Sequence, residues 1–210
     1  MQVIGLGHYS RTGKDTLANF MVNDGARRGL KVVKQSFAWE LKDVCHQLYG
    51  WAGLRSPEFY ETDEGQKLRN VKLPAVGGGL SPVEIWCRMG TDAVRNHVDS
   101  ETWVNYLLHT PRVCDILVIP DVRFPNEANA IKERGGKLVK VVRPYHGPLE
   151  TVADEALLNY EGWDYVVGSS GLLSDLEKWA TRLVTGAESG YWPRQPRAIR
   201  SYAESVEVLR

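Results

Sequence analysis

The segment His8-Tyr9-Ser10-Arg11-Thr12-Gly13-Lys14-Asp15-Thr16 constrains this chain more than any other. Before it, Val3-Ile4-Gly5-Leu6 reads as a short buried strand. After it, Leu17, Phe20 and Met21 share one face of a helix running toward Arg28. A Gly-Lys pair in a polar loop between a strand and a helix occupies the place of a P-loop, where backbone N–H groups and the positive helix end face an anion. At Gly13 a Cβ would intrude on the phosphates. Lys14 reaches the β- and γ-phosphates and offsets charge during phosphoryl transfer. Two positions depart from the pattern G-x-x-x-x-G-K-[ST]. His8 stands at the first glycine, with Gly7 one residue early, and Asp15 stands at the hydroxyl position, with Thr16 following. A carboxylate there can still help to hold magnesium, which takes oxygen ligands and keeps several waters. Asp15 and Thr16 are therefore the candidate metal ligands, and ATP with Mg²⁺ the expected cofactors. One alternative is a strand-to-helix turn whose lysine is merely solvated. Another is a dinucleotide fingerprint begun by Gly5-x-Gly7, but Ser10 occupies its third glycine and Gly13-Lys14 goes unexplained.

The pattern downstream continues an α/β rhythm. Leu30 to Phe37 reads as a second strand, and Leu41, Val44, Cys45 and Leu48 carry the helical spacing of Trp39 to Tyr49. Strand, loop, helix, strand and helix open a doubly wound sheet. Residues 51–79 break the rhythm with Pro57, Pro74 and Gly77-Gly78-Gly79, predicting an irregular insertion. Ser81-Pro82 with Glu84 predicts a capped helix through Ile85, Met89 and Val94. A further helix is predicted over 102–109. Asp115 to Ile119 is the clearest buried strand, with Asp121-Val122-Arg123 leaving its carboxyl end. Then come a helix over 125–134 stopped by Gly135-Gly136, a strand over 137–142, a loop over 144–150, a strand over 163–167, a turn over 168–171 and a helix over 172–184.

Composition excludes several classes. With 210 residues there is room for one α/β domain and an inserted subdomain. Lys plus Arg equals Asp plus Glu at 26 each, so no net charge favours a nucleic-acid polymer or an anionic membrane. Cys45, Cys87 and Cys114 form no CxxC pair and read as small buried hydrophobes in a reducing compartment. The amino terminus shows no signal-peptide pattern, and no run approaches a membrane span. A cytoplasmic location is expected.

With the phosphate loop in hand, Asp121-Val122-Arg123-Phe124-Pro125-Asn126-Glu127-Ala128 decides the family. Together, Gly13-Lys14-Asp15-Thr16 and this segment resemble the deoxynucleoside monophosphate kinases of tailed bacteriophages. Met89-Gly90-Thr91-Asp92-Ala93-Val94-Arg95 followed by Trp103 supports the likeness. So does Asp164 to Val167 with the helix after it. The resemblance implies an α/β P-loop kinase core over 1–185, with a parallel sheet flanked by helices. It also implies a monophosphate-binding insertion over about 51–100 and a small lid over about 143–155; residues 186–210 are an appended tail. It implies transfer from ATP to a deoxynucleoside monophosphate, small-molecule nucleotides as partners, a homodimer, and the host cytoplasm if the chain is phage-encoded. Arg11, Thr12, Gly13, Lys14, Asp15 and Thr16 would hold ATP phosphates. Asp121, Arg123 and Glu127 would contact the acceptor, and Trp103 would lie near its base or sugar. Ser10 stands where the family can carry a second lysine.

The chemistry of single residues leaves alternatives open. Asp121 suits a carboxylate near magnesium, a deoxyribose contact, an orienter of Arg123 or a helix-entry residue. Arg123, at the carboxyl end of a strand, can bind phosphate bidentately or pair with Glu127. Phe37 fits base stacking and core packing equally. Arg69, Arg88 and Gly90 fall among the acceptor candidates, the two arginines as a phosphate clamp or as ordinary surface residues. Arg143 opens the lid and would cover the ATP phosphates or stay solvated. The acceptor phosphate is already a nucleophile, so Lys14, Asp15 and Arg123 are the catalytic candidates by charge and positioning rather than as bases. Other small-molecule P-loop kinases, acting on a dephospho-coenzyme or a phosphorylated alcohol, share the ATP half of this pattern. A P-loop protein without kinase turnover is the other alternative.

Overall fold

The computed structural model describes residues 1–143, 156–168, 172–192 and 195. Five strands form one parallel sheet in the order β2-β3-β1-β4-β5. They are β1 (Gln2–Gly7), β2 (Val32–Lys34), β3 (Ile116–Val122), β4 (Lys137–Val142) and β5 (Tyr165–Gly168). The helices are α1 (Lys14–Arg27), α2 (Ala38–Tyr49), α3 (Asp63–Leu68), α4 (Pro82–Cys87), α5 (Thr102–His109), α6 (Pro125–Glu133) and α7 (Leu173–Ser189). The chain divides into two compact units, Phe37–Pro111 and the remainder. The predicted 51–100 insertion lies inside the former. Of the predicted lid, residues 144–155 lie outside the described residues, as does most of the tail. Among the described residues no helix is long and apolar enough to cross a membrane.

β1 sits at the centre of the sheet because both of its edges are taken: Gln2 to Gly5 pair with Ile116 to Ile119 of β3, and Ile4 to Gly7 with Lys137 to Lys140 of β4. A strand buried on both faces must be apolar throughout, and Val3, Ile4 and Leu6 are buried. One sheet face carries α1 and α7, whose Leu17, Met21, Leu176, Ala180 and Leu183 pack on Ile4, Leu6, Val118, Val139 and Val167. The register of β1 with β3 shifts between Gly5 and Gly7. Gly7 lies so close to Trp163 that a Cβ would stand 2.4 Å from the indole.

Several boundaries differ from expectation. β2 is only Val32–Lys34, because Phe37 already has helical dihedrals as the N-cap of α2. On α2, Leu41 and Cys45 are buried while Val44 and Leu48 are exposed. Asp121 lies within β3 rather than beyond it. The last strand starts at Tyr165 rather than Trp163, and α7 runs past Val184 to Ser189. The irregular stretch contains α3 and two 3₁₀ turns, Gly50–Ala52 and Phe59–Glu61. The Ser81 capping box with Glu84 forms as expected, but the helix widens into a π-helix over Arg88–Arg95. Over two turns an apolar pattern does not separate that form from an α-helix. Of the cysteines, Cys45 is buried and burial pushes its thiol up to about 11, whereas Cys87 is exposed on the last turn of α4.

One buried carboxylate ties α1 to α7. Asp24 accepts from Arg27 at 3.0 Å, from Arg28 Nε at 2.7 Å and from Thr181 Oγ1 at 3.1 Å. Burial alone would raise its pKa, but the hydrogen bonds from Arg27 and Thr181 and the charge of Arg28 outweigh it and hold the carboxyl below its usual value. A carboxyl whose folded pKa is depressed contributes stability above the unfolded pKa and loses it as pH falls through the folded one. Asp24→Asn is therefore expected to lower the unfolding free energy by about 2 kcal/mol at neutral pH. In urea titrations the gap between wild type and variant should close as pH drops below the ordinary aspartate range. A gap independent of pH contradicts the assignment.

Candidate active site

The loop between β1 and α1 is built from left-handed residues. His8, Arg11 and Gly13 have φ of 99°, 61° and 99°. Such residues interspersed in a loop turn successive N–H groups toward a common concavity, the geometry of an anion-binding nest. His8 thus holds a positive φ at the position where the P-loop pattern has glycine, at a steric cost glycine would avoid. Gly13 is the N-cap of α1 and brings no side-chain cap, so the positive end of the helix stays open to an anion.

Lys14 is only 6% exposed. Its ammonium donates to the His8 carbonyl at 3.1 Å, to the Tyr9 carbonyl and to Thr12 Oγ1 at 3.4 Å. Thr12 Oγ1 donates in turn to the Tyr9 carbonyl at 3.1 Å. The lysine thus lies within its own loop rather than in solvent, unlike the merely solvated lysine of the alternative reading.

β3 delivers the second cation. Arg123 Nη1 donates to Ser10 Oγ at 3.2 Å, joining the carboxyl end of β3 to the phosphate loop. Glu127 is buried, and its Oε2 accepts the N–H of Arg123 at 2.7 Å and that of Phe124 at 3.1 Å. It fixes the turn that aims Arg123, a task the sequence reading did not assign to it. Asp121 stands half-buried near the end of β3.

The candidate metal ligands are a carboxylate and a hydroxyl in the first turn of α1, an all-oxygen set that suits magnesium. Asp15 is 72% exposed as a side chain, and its Oδ1 lies 3.2 Å from Lys34 Nζ. Lys34 also donates to Asn19 Oδ1 at 3.1 Å. Among the described residues no cluster of three or more His, Cys, Asp and Glu could hold a metal unaided. A magnesium ion bound mainly through phosphates needs no such cluster. Arg143 lies exposed just beyond β4.

The other candidates belong to the Phe37–Pro111 unit. Phe37 is buried at the start of α2. Gly90 lies in the π-helix, where a Cβ would stand 2.3 Å from Leu41, and its carbonyl accepts from Trp103 Nε1 at 3.3 Å. Arg88 lines a cavity of about 380 Å³ with Tyr49, Trp51, Val76 and Met89. Arg69 lies against Trp86, its Cζ 5.6 Å from the ring centroid. The sequence reading did not single out Lys34 or Trp86. Lys34 followed a legible Val-Val strand, but nothing in a linear pattern pairs it with Asp15.

Comparison with known proteins gives the family. A family profile described as deoxynucleotide monophosphate kinase matches residues 85–179. The chain is 31% identical to the deoxynucleotide monophosphate kinase of Enterobacteria phage T4, over 84% of this chain and 95% of that protein. It is 30% identical to a protein of Acanthamoeba polyphaga mimivirus that carries the same name provisionally, over 69% of this chain and 75% of that protein. The chain belongs to the deoxynucleotide monophosphate kinase family. In this kinase the profile spans the end of α4, the π-helix, Trp103 and the Arg123 turn but not the phosphate loop, so the loop geometry supports the assignment independently.

Backbone strain gives this loop a signature of its own. Arg11 is exposed and left-handed, so Arg11→Gly is expected to leave stability unchanged or raise it by up to about 1 kcal/mol. Gly13→Ala puts a Cβ 3.1 Å from Leu176 at a positive φ and is expected to cost about 1–2 kcal/mol. Urea unfolding without nucleotide should show a loss for Gly13→Ala and none for Arg11→Gly; equal losses would contradict the strained-loop account.

Proposed function

We propose that this kinase transfers the γ-phosphoryl group of ATP to the phosphate of a deoxynucleoside monophosphate, giving ADP and the deoxynucleoside diphosphate. The observation that carries this reading is the Lys14 ammonium seated inside a left-handed loop that Ser10 ties to Arg123. The names of the phage and mimivirus relatives supply the acceptor class.

In this reading the loop N–H groups, with Arg11, Thr12 and Gly13, hold the ATP phosphates. Lys14 exchanges its bonds to the His8 and Tyr9 carbonyls for bonds to phosphate oxygens, so its charge enters the site without a new desolvation cost. Asp15 and Thr16 would hold magnesium, which supplies neutralisation of phosphate charge when bound. Arg143 covers the ATP phosphates. Arg123, aimed by Glu127, takes the acceptor phosphate beside Ser10, with Asp121 on the sugar or on the arginine. Phe37, Arg69, Arg88, Gly90 and Trp103 provide the remaining acceptor contacts.

An acceptor phosphate oxygen attacks the γ-phosphorus, the bond from that phosphorus to the ADP oxygen breaks, and no proton need be removed. The protein's task is to hold two anions in line and keep water out. The reaction is placed in the cytoplasm of a host cell, in keeping with the phage origin of one relative. A homodimer belongs to the same reading; Val44, Leu48 and Trp51 offer it an exposed apolar face.

A panel of acceptors with ATP and magnesium tests the proposal. Deoxynucleoside monophosphates should be phosphorylated, and Lys14→Met should lower turnover at least about a hundredfold. Activity confined to a dephospho-coenzyme or a phosphorylated alcohol, or hydrolysis of ATP without transfer, would overturn it.

A further inference from the structure

Within the Phe37–Pro111 unit two cations lie against one buried indole. Trp86 of α4 is buried; Lys42 Nζ from α2 lies 5.4 Å from its ring centroid, and Arg69 Cζ lies 5.6 Å from it. Tyr60 meets the same ring edge-on at 4.9 Å and 86°. The Lys42 side chain is only 15% exposed, and lysine is rarely so covered unless a partner meets its charge.

The partners on hand are few. Glu61 Oε1 lies 3.5 Å from Lys42 Nζ, a long contact to a carboxylate that is itself 42% exposed. Arg69 Nη1 donates to the neutral Gln66 Oε1 at 3.0 Å, and Arg69 Nε is buried without a hydrogen-bond partner. A buried donor left unmet costs about 1–3 kcal/mol. The indole face stabilises both cations but brings no acceptor oxygen, and the neutral Gln66 amide leaves the Arg69 charge without a carboxylate among the described residues. Two positive charges beside one carboxylate leave an uncompensated positive charge, which favours an anion carrying several acceptor oxygens. A phosphate monoester at neutral pH is such a group.

We infer that Lys42, together with Arg69 on the Trp86 indole, binds the phosphate of the acceptor nucleotide. The inference rests on the nucleotide-kinase reading and adds to it a residue that neither the motif nor the comparisons single out. Lys42 lies in the middle of α2, where its spacing reads as an ordinary solvated position. Tertiary packing against Trp86 withdraws it from solvent.

Calorimetric titration of the full chain tests this, with deoxynucleoside monophosphates, deoxynucleosides and ATP with magnesium as separate ligands. Lys42→Met should weaken monophosphate binding at least about tenfold, the loss of one charge-assisted hydrogen bond. Deoxynucleoside and ATP affinities should change less than about twofold, and Lys42→Arg should retain most of the monophosphate affinity. Unchanged monophosphate binding in Lys42→Met overturns the inference, as does an equal loss for all three ligands, which would mark a purely structural lysine. A wild-type chain that binds ATP but no monophosphate overturns the acceptor reading and this seat with it. If Lys42→Met fails to fold, Lys42→Gln and Lys42→Arg decide by the same comparison.

Discussion

The Lys14 ammonium, enclosed by the oxygens of its own loop, is the interaction on which the rest of the active centre depends. A buried charge is tolerated only where polar groups replace water, and here the His8 and Tyr9 carbonyls and the Thr12 hydroxyl do so. Bringing those oxygens inward requires the left-handed residues His8, Arg11 and Gly13. Strain of this kind persists only where the surroundings over-determine it. The central strand β1, paired on both edges and pressed at Gly7 against Trp163, and the core under α1 supply that constraint. The cost of the loop is met by the sheet.

The same arrangement explains why the decisive side chains come from strand ends. In an open parallel sheet the carboxyl ends of the strands face the ligand crevice. β1 leads into the phosphate loop, β3 delivers Asp121 and Arg123, and β2 ends at Lys34 beside Asp15. Glu127 converts the start of α6 into a brace for Arg123, holding two consecutive N–H groups on one carboxylate oxygen. Ser10 then accepts from the guanidinium, so it serves as a joint between loop and strand.

What was legible in the sequence followed local rules. The strand–loop–helix at the amino terminus, the Ser81–Glu84 capping box, the helix Thr102–His109 and the strand Lys137–Val142 each have a periodicity or cap that acts within a few residues. The errors share a different cause. Leu41, Val44, Cys45 and Leu48 share one helical spacing, yet Val44 and Leu48 are exposed, because apolar spacing does not reveal which face of α2 a neighbour covers. The π-helix after Cys87 and the early end of β2 depend on contacts far along the chain. The same holds in the candidate site: Lys14, Gly13 and Arg123 carry motifs, whereas the Lys34–Asp15 pair and the cations around Trp86 exist only once the chain is folded.

Amide hydrogen exchange with and without ATP and magnesium tests the central claim most directly, because it reads the loop N–H groups rather than turnover. If the loop wraps a polyphosphate, the amides of Ser10 through Thr16 should slow markedly on nucleotide binding, and the slowing should shrink when Lys14 is replaced by Met. Tight ATP binding that leaves those amides exchanging as in the free protein would contradict the account.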